Sequence, residues 1–227
     1  MNPAVSRVSQ SAMNRKLPAL ARSLLAAGLL LVAARGASAA GLTEGNEYKL
    51  LKPAQPSEAA PGKVGVVEVF WYACGHCYLL EPKLEAWNQK GRAPYVQLIR
   101  LPATWNPVVK MHARVFYTIE LLGKPKLHDE VFREINVKGN RLDTPEKIEA
   151  FFVSRGVSKG EFQKAFSSFA VESKLLQAED LNKRYKITGT PTIVVNGKYV
   201  TDVGMAGDED KLFEVVNELA AREKPSR

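Results

Sequence analysis

The apolar and polar positions of this chain fall into two kinds of order. Residues 63–72 (KVGVVEVFWY) form a near-continuous Val/Phe/Trp run of the kind found in a strand buried on both faces. The run breaks at Ala73. From 75 to 90, Leu79, Leu80, Leu84 and Trp87 lie near a helical stripe that Gly91 stops. Pro82 sits inside that stretch, where its missing N–H and its ring favour a kink. Residues 95–101 return to strand character. Strand, helix, strand makes a βαβ unit, right-handed by rule and implying a parallel pair.

Between 107 and 186 the pattern is helical and strand signals are few. Val108, Met111, Val115, Ile119 and Leu122 recur at helical spacing ahead of Gly123, and a shorter helix is expected over 125–135. Asp143-Thr144-Pro145-Glu146 reads as a capped helix start with proline in the first turn, running to Gly156. Helices at 158–168 and 171–186 follow, and Phe151, Phe152, Phe162 and Phe166 are expected in the core. Strand chemistry resumes at 190–195 (TPTIVV). Asn196-Gly197 then signals a two-residue hairpin turn, with the return strand at 198–200. Asp208 can cap a last helix over 209–221 that buries Leu212, Val215, Val216 and Leu219. A short edge strand is expected at 48–51, within a proline-punctuated segment. The order is βαβ, helical block, ββα.

Composition changes this picture mainly at the front. Residues 1–39 carry Arg7, Arg15, Lys16, Arg22 and Arg35 and no acid, then the unbroken run SLLAAGLLLVAA, then Ala37-Ser38-Ala39. A basic start, a short apolar core and an A-x-A site describe a cleavable secretory leader, with cleavage after Ala39 or Ala40. The 12-residue run is short for a membrane span, which needs about 20. The formal charge of +8 loses five positives with that leader, so the remainder is near +3 and gives no reason to expect a nucleic-acid partner. The remaining chain is long enough to bury a core without cross-links, so its two cysteines are not there to staple a small fold.

Those two cysteines, Cys74 and Cys77, stand three apart where the apolar run turns into a helix. Side chains at i and i+3 on a helical turn lie one above the other, within reach of a disulfide. A structural zinc site needs four ligands, and only His76, His112 and His128 remain besides the cysteines, so no metal is expected. Tyr78 after Cys77 excludes c-type haem attachment. The redox reading places Cys74 exposed at the helix start, as the attacked sulfur, and Cys77 one turn in, as the resolving thiol. A helix N-terminus stabilises a thiolate by up to ~2 kcal/mol. A cation about 4 Å away contributes up to ~4 kcal/mol at an effective dielectric near 20. By that estimate His76 supplies most of the stabilisation. A thiolate stabilised only after the disulfide opens makes that disulfide an oxidant. Glu68, a lone acid in the apolar run, is expected to have a raised pKa and to exchange protons with Cys77; an exposed acid at a strand edge is the alternative.

The segments EVFWYACGHCY, Gly-Thr-Pro-Thr and Val-Asn-Gly-Lys-Tyr resemble the thioredoxin superfamily and, within it, the bacterial periplasmic DsbA thiol–disulfide oxidoreductases, over about residues 45–225. The resemblance implies an α/β thioredoxin fold over residues 40–106 and 187–227, with an all-helical domain inserted over 107–186. It implies a cis bond at Thr190-Pro191 packed against the active-site disulfide, with Gly75, Thr190 and Pro191 at the substrate side, and it matches Glu68 to the family's buried acid. It further implies a periplasmic monomer with no cofactor beyond the Cys74–Cys77 disulfide. Such a protein donates that disulfide to newly exported, unfolded proteins with free cysteines, and a membrane quinone-linked DsbB-type partner reoxidises it. Gly75-His76 stands where the family usually has Pro-His. A reductase or isomerase of the same superfamily, or a peptide- or metal-binding module, are the alternatives. Residues 40–62 are too few for the N-terminal dimerisation domain of DsbC-type isomerases.

Overall fold

The strand that carries the cysteines is sealed on both faces. In the computed structural model, which describes residues 41–225, every residue of β2 (Val64–Phe70) is buried. The leader expected at 1–39 lies outside the described residues. β2 pairs in parallel with β3 (Val96–Pro102) and antiparallel with β4 (Thr192–Val195). β4 continues antiparallel to β5 (Tyr199–Thr201), and β1 (Lys49–Leu50) closes that edge, giving the order β1-β5-β4-β2-β3 among the described residues. Between β4 and β5, Asn196 and Gly197 have φ of 50° and 66°, as a two-residue type I′ turn requires. A Cβ at Gly197 would lie 2.1 Å from the Gln55 carbonyl oxygen, so only glycine fits there.

Helix α1 (Gly75–Ala86) leaves the end of β2 and runs into a single π-helical turn, Trp87–Gly91, before β3. Its buried face is Cys77, Leu80, Glu81 and Leu84. Leu79, expected in the stripe, is 61 % exposed, because the helix turns its i, i+3, i+7 row (77, 80, 84) inward. Five helices then follow β3: α2 (Pro107–Leu121), α3 (Leu127–Asn136), α4 (Pro145–Val153), α5 (Lys159–Phe166) and α6 (Phe169–Arg184). Asn106, Thr144, Ser158 and Ser168 cap four of them, each accepting a backbone N–H three residues on. On α2 the inward row is Val109, Ala113, Phe116 rather than the expected Val108, which is 37 % exposed. Phe151, Phe152 and Phe162 are in the core and Phe166 packs against it. A short α7 (Val203–Ala206), not expected from the periodicity and capped by Asp202, precedes α8 (Glu209–Arg222). Asp208 caps α8 through the Lys211 N–H, and Leu212, Val215, Val216 and Leu219 face inward.

The sheet divides the core in two. Val64 and Val66 pack with Leu80, Leu84, Trp87, Val195 and Leu219 on the side of α1 and α8. Val67, Val69 and Phe70 join a larger cluster with the helical block. Each fully buried Val or Phe is worth about 1.5–3 kcal/mol, so the strand behind the cysteines is anchored from both directions.

Candidate active site

The end of β2 delivers the cysteines to the first turn of α1. Cys74 is the N-cap, in extended backbone (φ −87°, ψ 111°), and its sulfur accepts the Cys77 N–H at 3.3 Å. The Cys74 N–H donates to the Trp71 carbonyl at 3.0 Å, which closes the turn between strand and helix. Both cysteines are free thiols. Cys74 is half-buried, Gly75 and His76 are exposed, and Cys77 is fully buried.

β4 brings in the third element. Thr192 pairs with Val69, so the residues just ahead of it lie beyond the end of β2, beside the cysteines. The Thr190–Pro191 bond is cis. The protonated Cys74 thiol donates to the Thr190 carbonyl at 3.3 Å, which links the two segments directly.

The two thiols are driven apart in acidity. Hydrogen bonds lower the Cys74 pKa to about 5, the largest from the Cys77 thiol and the others from the Thr190 side chain and the backbone N–H groups of Cys77 and His76. Partial burial opposes them. Burial pushes the Cys77 thiol far up, and its bond to Cys74 and the charges of Cys74 and Glu68 add to that. The electrostatic expectation gave His76 the leading part. Here hydrogen bonds lead, and His76 enters through its backbone N–H while its imidazole lies exposed.

Glu68 is neither at a solvent edge nor alone. It is 0 % exposed, and its strand partner in β3 is Arg100, whose Nε lies 3.7 Å from Glu68 Oε2. Burial raises its pKa to about 8, repulsion from Glu81 adds to this, and the Arg100 charge works against it. Neither Glu68 oxygen has a hydrogen-bond partner among the described residues, which is why burial dominates. Arg100 is also tied to Glu81, and to Glu85 at 3.3 Å, while His128 Nε2 stands 3.6 Å from Glu81 Oε1. Glu81 stays below its usual value: burial would raise it, but His128 and Arg100 outweigh that. Arg100, Glu81 and His128 were missed in the sequence. A usable signal was present, since Arg100 is as isolated among apolar residues of its strand as Glu68 is in its own. Glu81, Arg100 and His128 also line a cavity of about 920 Å³ between β3 and helices α2, α3 and α6.

Among the described residues no group of three or more His, Cys, Asp or Glu is arranged to hold a metal ion. No described helix is long and apolar enough to cross a membrane. A half-buried and a fully buried cysteine at a helix start, facing a cis-proline segment on a βαβ…ββα sheet, define a thiol–disulfide oxidoreductase of thioredoxin fold. Residues 96–220 match the family model described as a DSBA-like thioredoxin domain. The chain is 37% identical over 206 residues to the thiol:disulfide interchange protein DsbA of Pseudomonas syringae pv. tomato, covering 90% of this chain and 94% of that protein. It is 38% identical over 191 residues to DsbA of Burkholderia cepacia, covering 83% and 87%. The crystal structure of Pseudomonas aeruginosa DsbA superposes with a TM-score of 0.76 at 37% identity, over 80% of this chain and 94% of that one. The oxidoreductase DsbA from Xylella fastidiosa gives 0.74 at 28% identity, over 82% and 99%. The chain belongs to the DsbA family.

Proposed function

We propose that this protein is an exported disulfide donor acting on newly translocated proteins in the periplasm. In this reading residues 1–39 are a leader removed on export. Residues 40–106 and 187–227 carry the redox site, and 107–186 are the inserted helical domain. The observation that carries the proposal is the Cys74 sulfur, held near a pKa of about 5 by hydrogen bonds that are complete only once the disulfide has opened. Stabilising the reduced form makes the disulfide the stronger oxidant, by about 30 mV for each tenfold in the equilibrium constant.

The reaction runs in two displacements. A substrate thiolate attacks the Cys74 sulfur, the Cys74–Cys77 bond breaks, and its electron pair goes to Cys77, which takes a proton because burial disfavours its thiolate. Glu68, protonated at neutral pH by its raised pKa, is the acid behind that step. The second substrate thiolate then attacks the substrate sulfur of the mixed disulfide and expels Cys74 as a stabilised thiolate. Gly75, Thr190 and Pro191 flank the mixed disulfide. The substrate leaves oxidised and the enzyme is left reduced, with Cys74 a thiolate and Cys77 a thiol. A quinone-linked membrane partner of the DsbB type takes up those two electrons, and the protein works as a monomer.

The test is oxidation of a reduced, unfolded protein with a cysteine pair, followed by its regain of native activity. The oxidised enzyme should accelerate this manyfold over buffer, and Cys74→Ser should abolish it. Cys77→Ser has no disulfide to donate and should also fail to oxidise, but offered the already oxidised substrate its Cys74 thiolate should open that disulfide, form a mixed disulfide and release one substrate thiol. An enzyme that only reduces the native substrate disulfide contradicts the proposal.

A further inference from the structure

Two buried histidines of the helical block take no part in the displacements above. His112 on α2 is 2 % exposed and His128 on α3 is 7 % exposed. Each binds one of the two adjacent aromatic residues that lead into the cysteines. The Trp71 indole N–H donates to His112 Nδ1 at 2.9 Å. The Tyr72 hydroxyl and His128 Nδ1 share a bond of 2.8 Å, and Asn136 Nδ2 donates to the Tyr72 carbonyl at 2.8 Å. The catalytic turn therefore hangs from the helical block by side chains far away in sequence.

The Trp71 bond fixes the state of His112. Because Nδ1 accepts, the ring proton is on Nε2, which donates to the Arg141 carbonyl at 2.9 Å. Burial lowers the His112 pKa and so favours that neutral form. Among the groups that face it, the bonds to the Arg141 and Leu142 backbone and the Asp143 charge raise the pKa, and the Arg141 charge lowers it. A proton on Nδ1 would put two donors face to face and release the indole.

Trp71 in turn holds the cysteine turn through its backbone. Its carbonyl accepts the Cys74 N–H at 3.0 Å. That bond holds Cys74 at the helix start, where its sulfur accepts the Cys77 N–H at 3.3 Å.

We propose that His112 is a positioning residue of the redox site: by accepting the Trp71 indole N–H it sets the Trp71 peptide whose carbonyl holds the Cys74 N–H, and with it the Cys74 sulfur at the helix start. The inference rests on the thiol–disulfide reading of those cysteines. A native protein that fails to exchange with glutathione defeats that reading, whereas the comparison of variants below addresses His112 alone.

The experiment measures the redox equilibrium constant with glutathione for the unmodified protein, His112→Leu, His112→Asn and Trp71→Phe, alongside the Trp71 indole N–H signal in ¹H–¹⁵N spectra. The chain has three tryptophans, so the Trp71 signal is assigned by its loss in Trp71→Phe. Leu removes the acceptor, and the disulfide should become about tenfold less oxidising, or about 30 mV, with a displaced indole signal. Asn keeps an acceptor near the place of Nδ1 and should restore both to within about threefold of the native values. Trp71→Phe should shift the equilibrium in the same direction as Leu, and it carries the test if His112→Leu does not fold. An equilibrium constant within twofold of native in His112→Leu, or in Trp71→Phe, overturns the proposal. So does an equal shift in Leu and Asn, which would mark His112 as packing alone.

Discussion

In the first half of β2, Val64 and Val66 meet Leu80, Leu84, Trp87 and Leu219 in an apolar cluster. From Glu68 onward, through the turn that follows β2, the material changes. Glu68 faces Arg100, Trp71 bonds His112, Tyr72 bonds His128, and Asn136 takes the Tyr72 carbonyl. Burying such groups costs free energy that an apolar residue would not, and each needs a partner to be tolerated. The first half maximises stability. The second gives some up to hold two sulfurs and an acid in unequal environments. Stability and redox poise are therefore separable along one stretch of chain, and variants around the two halves should fail in different ways.

Leu84→Ala, on α1 against the apolar half, should have the largest effect on stability. Emptying a fully buried leucine site costs about 2–5 kcal/mol, while the reduction potential of the cysteine pair stays put. Denaturant melts of the reduced and oxidised forms check both. A potential that moves with the melt would show that the halves are coupled.

Glu68→Gln sharpens the comparison from the polar half. The folded pKa of Glu68 is raised from 4.5 to about 8, so the folded state holds a proton that the unfolded state has released. Its contribution is fully present below pH 4.5 and is lost as pH rises through about 8. At 1.36 kcal/mol per pKa unit the loss is on the order of a few kcal/mol, shared with Glu81 and Arg100. The Gln variant should flatten the stability–pH profile over that window and slow substrate oxidation. A slope unchanged by the substitution would mean that another group carries it.

His76→Leu should have the smallest effect. The imidazole is exposed, and exposed charge pairs are worth about 0.2–1 kcal/mol, under about one pKa unit. Thiolate absorbance should therefore show the Cys74 pKa rising by less than a unit. A rise of two or three units would return the leading part to the imidazole.

The same comparison explains what the sequence could say. The apolar half was legible because unbroken Val runs, the Asn196-Gly197 turn and the Thr144-Pro145 and Asp208 caps are local signals, read within a few residues. The helix phases were less so: Leu79 and Leu80 are equally apolar, and only packing decides which turns inward. In the polar half the cysteines are legible because their spacing is itself the signal. Their supports are not, since His112 lies 41 residues from Trp71 and His128 lies 56 from Tyr72. Arg100 needed the β2–β3 register to be seen as Glu68's partner. His76, prominent by sequence, owed its weight to an assumed distance rather than to a contact.

The oxidising character assigned to the Cys74–Cys77 disulfide rests on hydrogen bonds to the Cys74 sulfur. Its most direct test is the reduction potential of that pair, measured by equilibration with glutathione at neutral pH. The expected value is above about −200 mV, on the oxidising side of the glutaredoxin range. A value at thioredoxin's level, about −270 mV or lower, would contradict it.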